Sequence, residues 1–211
     1  MVDFTSSVSF DQIFQVASCI GIIAFALSGV LLAARKHFDV VGTFVLSLLT
    51  ATGGGAIRDI MVNRTPNLLK DPLLVYVTLA TLFFSLLFKL HHKSNLEKKW
   101  LFVASDAVGL AAFTITGTLV GLEVNLGLFG VMLLGLITAV GGGVLRDILV
   151  NDVPFILKGD FYASVALFIS LSLYILHHYQ ALSSINIGII GIIGTSMRLI
   201  AYAKNWRLPQ L

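Results

Sequence analysis

Charged side chains are what this chain has least of: 12% of its 211 residues are Asp, Glu, Lys or Arg, against 57% hydrophobic. Too little polar surface remains to cover a soluble globule of that length, and a mean hydropathy of +0.93 points the same way. Cysteine is nearly absent. Cys19 stands alone, so no intrachain disulfide can form and the redox compartment is unreadable. Also missing are a Cys/His cluster, an HExxH helix and a Gly-Lys-Ser/Thr phosphate loop, and no nucleophile has a base beside it. No metal, cofactor or catalytic residue is therefore expected, and the chain is not expected to be an enzyme. What is present is apolar sequence in long runs. A hydrocarbon core of roughly 30 Å needs about 20 apolar residues per helix, and seven stretches qualify, near 12–34, 40–57, 72–90, 101–122, 127–145, 161–178 and 184–203. Nothing of domain size remains outside them, so 1–211 reads as a single all-α integral membrane domain. The first stretch lacks a basic n-region and is too long for the apolar region of a secretory signal, so it is expected to stay as the first span.

Residues 53–70, GGGAIRDIMVNRTPNLLK, recur 88 positions later as GGGVLRDILVNDVPFILK, with 11 of 18 positions identical and no gap. The same register pairs Phe25 with Phe113, Ser28 with Thr116, Gly29 with Gly117, Gly42 with Gly130 and Thr50 with Thr138. A repeat of this kind fixes architecture before any local propensity is weighed. The first copy occupies 12–90, the second 101–178, and the seventh stretch, 184–203, lies outside the duplication. Each copy holds three spans, an odd number, so the second must enter the membrane from the opposite side: a 3+3 inverted repeat plus one helix.

Orientation follows from basic residues in short loops. One side collects Arg35, Lys36, Lys93, Lys98, Lys99, Arg146, Lys158, Lys204 and Arg207; the other holds Arg58, Arg64 and Lys70. The richer side is expected in the cytoplasm, with the N-terminus outside and the C-terminus inside. A formal net charge of +3 then reflects topology and contact with anionic membrane lipids, not nucleic acid.

The triple glycines, Gly53, Gly54, Gly55 and Gly141, Gly142, Gly143, fall within apolar spans. Glycine costs about 1 kcal/mol relative to alanine in a helix interior, so three in succession, twice, predict breaks in the second and fifth helices. Broken backbone in hydrocarbon is tolerated only where it is buried in protein or lines water, and paired breaks in inverted halves mark a midplane solute path. Carbonyls released there coordinate cations, while half-helix amides attract anions. The alternative is that small residues simply let two helices touch.

Directly after each triplet comes an Arg-Asp pair, Arg58-Asp59 and Arg146-Asp147. Charges at this depth normally face a bundle interior or water. Adjacent helix positions point about 100° apart, which favours cross-repeat partners, Arg58 with Asp147 and Arg146 with Asp59; snorkelling at the interface is the other reading. Asn63 and Pro66, repeated as Asn151 and Pro154, fit a helix end and turn. Asp106 breaks the symmetry, since its counterpart is Ser18. It suits a cation vestibule, or alternatively an interfacial pair with Lys98 or Lys99. Ser28, Thr50, Thr116 and Thr138, with Thr52, are candidates for a polar lining, unless they bond back to their own i−4 carbonyls. Gly188, Gly191 and Gly194 form a ridge that packs the seventh helix on the core, and Gly117 with Gly121 makes a GxxxG for intramolecular or oligomer contact. His91, His92, His177 and His178 close the third and sixth spans as solvated helix ends.

Two copies of GGGxxRDIxVNxxP within a seven-span 3+3+1 protein resemble the prokaryotic members of the trimeric intracellular cation channel family, over nearly the whole chain. The resemblance implies a homotrimer in a prokaryotic inner membrane, an ion path in each protomer, kinks at the two triple glycines, and monovalent cations, chiefly potassium, as permeant ions. Animal members carry a lysine-rich motif where this chain has Ala56-Ile57-Arg58-Asp59, so their lipid regulation and voltage response do not transfer. The residues themselves leave two readings open: a cation channel, and a secondary transporter for a small zwitterion such as glycine.

Overall fold

The computed structural model describes residues 10–88, 90, 95–157 and 161–206, the side chains of residues 10 and 95–98 excepted. His91, His92, Lys93, Lys158 and Arg207 lie outside the described residues. The chain is an all-α integral membrane protein: α1 (Phe10–Arg35), α2 (Val40–Met61), the short α3 (Asn67–Lys70), α4 (Leu73–Leu87), α5 (Asn95–Glu123), α6 (Leu128–Leu149), a 3-10 turn at Phe155–Leu157, α7 (Ala163–His178) and α8 (Ser184–Ala203). By length and composition α1, α2, α5, α6 and α8 can cross a membrane. At the third and sixth expected spans stand the shorter apolar helices α4 and α7, of 15 and 16 residues. At 1.5 Å per residue these reach only about 22–24 Å.

The recurring asparagines explain how the helices stop. His37, Asn63, Asn125, Asn151, Gln180 and Asn205 all have φ between 51° and 58°, the left-handed conformation that Asn tolerates better than most residues. After α2, the Asn63 amide bonds the Ile60 carbonyl at 3.0 Å and the Arg64 amide bonds that of Asp59 at 2.8 Å; after α6, Asn151 and Asp152 do the same to Ile148 and Asp147 at 3.0 and 2.8 Å. This is the Schellman closure, which satisfies carbonyls a helix end otherwise leaves orphaned. Pro66 and Pro154 then start matched turns, their carbonyls accepting from Leu69 at 2.9 Å and Leu157 at 3.0 Å.

The centre of the fold is α1 against α5 and α2 against α6, with α4 packed on α1 and α2, α7 on α5 and α6, and α8 on α5 and α7. Phe25 and Phe113, matched in register, meet there with ring centroids 5.1 Å apart. Each ring lies on a glycine of the other's helix. A Cβ on Gly109 would stand 2.1 Å from the Phe25 ring, and one on its counterpart Gly21 3.0 Å from Phe113.

The expected helix breaks are absent. α2 and α6 run without interruption across their glycine triplets, so no carbonyls are released from the ladder there. The glycines instead form the α2–α6 crossing. A Cβ on Gly54 would lie 2.1 Å from the Thr138 carbonyl oxygen, and one on Gly142 2.1 Å from that of Thr50. Close approach, the packing alternative, is what compensates the lost helix propensity. Gly117 and Gly121 serve α5–α6 packing in the same way, facing Thr138 and Val131. On α8, Gly191 and Gly194 abut Ile115 and Ile169, while Gly188 faces open space.

Two exposed ion pairs tie the copies together at opposite ends of the bundle. Arg64, after α2, meets Glu123 at the end of α5 at 2.9 Å, and Asp152, after α6, meets Lys36, just past α1, at 2.7 Å.

Candidate functional site

Each Arg-Asp pair sits at the closing turn of a central helix, and its geometry follows from where the Asp carboxylate is fixed. Asp59 Oδ2 accepts the Asn67 amide at 3.0 Å, and Asp147 Oδ2 accepts the Phe155 amide at 3.1 Å, each eight residues on. The aspartates therefore pin the turns that follow their helices. Their remaining oxygens face back toward the preceding arginine. Arg58 donates from Nε at 2.8 Å and Nη2 at 2.7 Å to Asp59 Oδ1, and Arg146 from Nε at 2.9 Å to Asp147 Oδ1. The cross-repeat pairs, Arg58 with Asp147 and Arg146 with Asp59, do not form. The long guanidinium stem spans the 100° between neighbouring positions, because the carboxylate is already held at the helix end by a backbone amide. Each guanidinium also lies over a phenylalanine of its own repeat, Arg58 over Phe14 at 5.2 Å and Arg146 over Phe102 at 4.8 Å. Those two phenylalanines are themselves 88 positions apart.

Beyond this shared core the half-sites differ. Arg58 opens onto a cavity of about 610 Å³ between α1, α2 and α4, floored by Ile22, Ala51 and Phe113. Among the described residues its charged lining is Asp11, Asp59 and Asp71 against Arg58, with Gln15, Ser18, Thr52 and Asn67 adding polar groups. Arg146 instead is wholly enclosed, at 0% exposure. Its Nη1 donates to Ser28 at 2.8 Å and to Asp106 at 2.7 Å. Asp106 thus pairs with the buried Arg146 and stands in a filled interior where a vestibule was expected; Lys99 lies over the Tyr202 ring instead, and the Lys98 side chain is outside the described residues. Leaving either partner of such a pair alone in low dielectric is costly, which is why these charges occur as a connected set.

Of the expected ion-path residues, Gly55, Arg58 and Asp59 line the cavity. Gly53, Gly54, Gly141 and Gly142 hold the helix crossing, and Gly143, Arg146, Asp147, Asp106 and Ser28 belong to the enclosed cluster. Thr50 and Thr138 bond back to the Leu46 and Leu134 carbonyls, both at 2.6 Å, and Thr116 to that of Phe113 at 3.1 Å. Asp11, Gln15 and Ser18 were not anticipated. Their signal was present as a polar stripe at i, i+4 and i+7 along an otherwise apolar helix.

A family model described as "Glycine transporter" matches the chain twice, over residues 15–90 and 103–178. Among curated proteins, the UPF0126 membrane protein YvgT of Bacillus subtilis is 34% identical over 202 residues, covering 92% of this chain and 95% of that one. Among solved structures, a prokaryotic TRIC channel crystallised in 0.5 M KCl superimposes with a TM-score of 0.85 at 30% identity, over 93% of this chain and 98% of that one. The TRIC trimeric intracellular cation channel orthologue from Rhodobacter sphaeroides gives a TM-score of 0.80 at 29% identity, over 90% and 95% of the two chains. With its doubled glycine and Arg-Asp motif, its helical architecture and these likenesses in agreement, the chain belongs to the family of the UPF0126 membrane proteins and of the prokaryotic TRIC structures.

Proposed function

We propose that the protein conducts monovalent cations, potassium chiefly, along one path through each protomer of a homotrimer, and that the path enters through the cavity over Arg58. The observation that carries this reading is the charge of that cavity. Among the described residues three carboxylates line it, and Arg58 beside them is already neutralised by Asp59. A low-dielectric cleft lined by one sign of charge concentrates the opposite ion. The cavity is lined by Asp11 at the start of α1 and by Arg58 and Asp59 at the end of α2, and the excess of basic residues at the other end of the bundle supports an entrance outside the cell. Cys19 lines the same cavity, so an impermeant thiol reagent is expected to label it in intact cells; labelling only after lysis reverses the orientation.

The family model's description favours a different solute, and the geometry argues against it. A glycine carboxylate needs an uncommitted cationic group or free helix amides. Arg58 is committed to Asp59, and α2 is unbroken. Purified protein in a planar bilayer under opposed potassium and chloride gradients decides between the two. Unitary currents reversing near the potassium potential support the channel. Absence of current together with saturable glycine uptake into liposomes refutes it.

A further inference from the structure

The glycine ridge of α8 is only partly used by the fold. A Cβ on Gly191 would meet Ile115 at 3.0 Å and one on Gly194 would meet Ile169 at 2.4 Å, but one on Gly188 would meet nothing within 4 Å, and Gly188 is exposed. Glycine inside a helix costs about 1 kcal/mol relative to alanine. At Gly191 and Gly194 a neighbouring helix offsets that cost; at Gly188 none of the described residues does. Gly188 lines a trough of about 550 Å³ that is separate from the cavity over Arg58. α1 and α8 both pack on α5 and form the trough's walls, with Val16 and Ile20 on one side and Ile192 on the other, all exposed. Val108, Ala111 and Ala112 of α5 form its floor.

We propose that this trough binds one acyl chain of a membrane phospholipid, laid along Gly188 with its ester end at Gln12 and Ser184 and its methyl end toward Thr195. The dimensions select that occupant. Along α8 the lining runs from Ser184 to Ser196, about 18 Å at 1.5 Å per residue, and one leaflet of hydrocarbon is about 15 Å deep, half of a core of roughly 30 Å. A helix of a second copy, about 10 Å across, would occupy about 1,400 Å³ over that length, more than twice the space available. An alkyl chain about 4–5 Å across, from the carbon contact distance, needs about 200–350 Å³. The chemistry agrees with the size. Among the described residues no charged side chain lines the trough, so nothing there holds the carboxylate of a free fatty acid, whereas the uncharged polar groups of Gln12 and Ser184, near the starts of α1 and α8, suit ester carbonyls. Thr195 commits its hydroxyl to the Gly191 carbonyl at 2.9 Å, which leaves that end of the trough apolar. Bound there, the chain completes the cover of α5, the most buried of the five long spans, and ties α8, otherwise held by α5 and α7, to α1. Occupancy of the trough does not depend on which solute crosses the protein.

Photo-cross-linking tests it. The full chain is reconstituted in phosphatidylglycerol liposomes doped with a phosphatidylglycerol that carries a diazirine at mid-chain, irradiated, and its adducts mapped by peptide mass spectrometry. Because α5 is enclosed elsewhere by other helices, adducts on its floor residues Val108 and Ala112 report the trough, while adducts on the exposed Phe83 of α4 report bulk lipid. Floor adducts are expected at a yield at least equal to that at Phe83. Gly188→Phe fills the trough and should lower them at least fivefold, and Gly188→Leu, the milder arm, at least twofold, with Phe83 unchanged in both. Ile185→Phe, on an exposed part of the same helix outside the trough, should change them less than twofold. Absence of floor adducts in the parent, or equal yields in the parent and Gly188→Leu protein that elutes as the native assembly, overturns the site. Loss of floor adducts to added oleate but not to added unlabelled phosphatidylglycerol overturns the phospholipid assignment. Disulfide-linked protomers formed through the thiol of Gly188→Cys, in a Cys19→Ala background, place a second copy in the trough and overturn it as well.

Discussion

The helix crossing offers the sharpest test of the fold, because neighbouring glycines should answer the same substitution with opposite signs. Alanine in place of glycine recovers about 1 kcal/mol of helix preference wherever space allows. At Gly55 it does, since the nearest atom to a new Cβ is Arg58 Nη2 at 3.7 Å, and Gly55→Ala should be stabilising by about that amount. At Gly54 the new Cβ would lie 2.1 Å from the Thr138 carbonyl oxygen, a backbone atom in a facing helix. Restoring van der Waals distance there requires α2 and α6 to part by roughly 1 Å, and overpacking of this kind costs about 1–3 kcal/mol. Net of the propensity gain, Gly54→Ala should lose about 0–2 kcal/mol, leaving it about 1–3 kcal/mol below Gly55→Ala. Gly142→Ala should behave alike, since it meets the Thr50 carbonyl at the same 2.1 Å. Both substitutions open one interface, so the double variant should cost less than the sum by at least about 0.5 kcal/mol. Reversible unfolding in mixed micelles reads all four. Gly54→Ala as stable as Gly55→Ala, or strict additivity of Gly54→Ala and Gly142→Ala, would refute the crossing as drawn.

A double-mutant cycle on Arg58 and Asp59 should show coupling of more than about 1 kcal/mol, and one on Arg58 and Asp147 less than about 0.5 kcal/mol, measured by the same unfolding. The exposed pairs Arg64–Glu123 and Lys36–Asp152 should each contribute at most about 1 kcal/mol, and that contribution should vanish in 1 M salt. If Asp11 and Asp71 concentrate cations at the cavity mouth, Asp11→Asn with Asp71→Asn should lower single-channel conductance about twofold or more in 10 mM potassium chloride and far less in 1 M, where the Debye length is about 3 Å; a deficit independent of salt would place their role elsewhere.

The spans, their duplication and the positions of both charged pairs were legible because each rests on a strong local signal: hydropathy over some 20 residues, or identity at a fixed offset. The turns after α2 and α6 were legible too, Asn and Pro each having one dominant conformational reason to be there. The glycine triplets misled, because a propensity penalty states only that something must compensate it. Whether a break or a facing carbonyl does so depends on the partner helix, which the triplet itself does not encode. Arg58 and Arg146 misled for a related reason. Their pairing was decided by where the Asn67 and Phe155 amides fix the aspartates, a contact made eight residues away across a turn. The open cavity was missed although Asp11, Gln15 and Ser18 announce it along one face of α1.

The two surface ties carry their charges in opposite order: the position of Arg64 is taken by Asp152 in the second copy, and that of Glu123 by Arg35 in the first. A homodimer of first halves would therefore set Arg64 beside Arg35 and Lys36, and a homodimer of second halves would set Asp152 beside Glu123. Each half repels itself at the spot where it holds the other. Expressed as separate polypeptides, the halves should assemble with one another in preference to themselves.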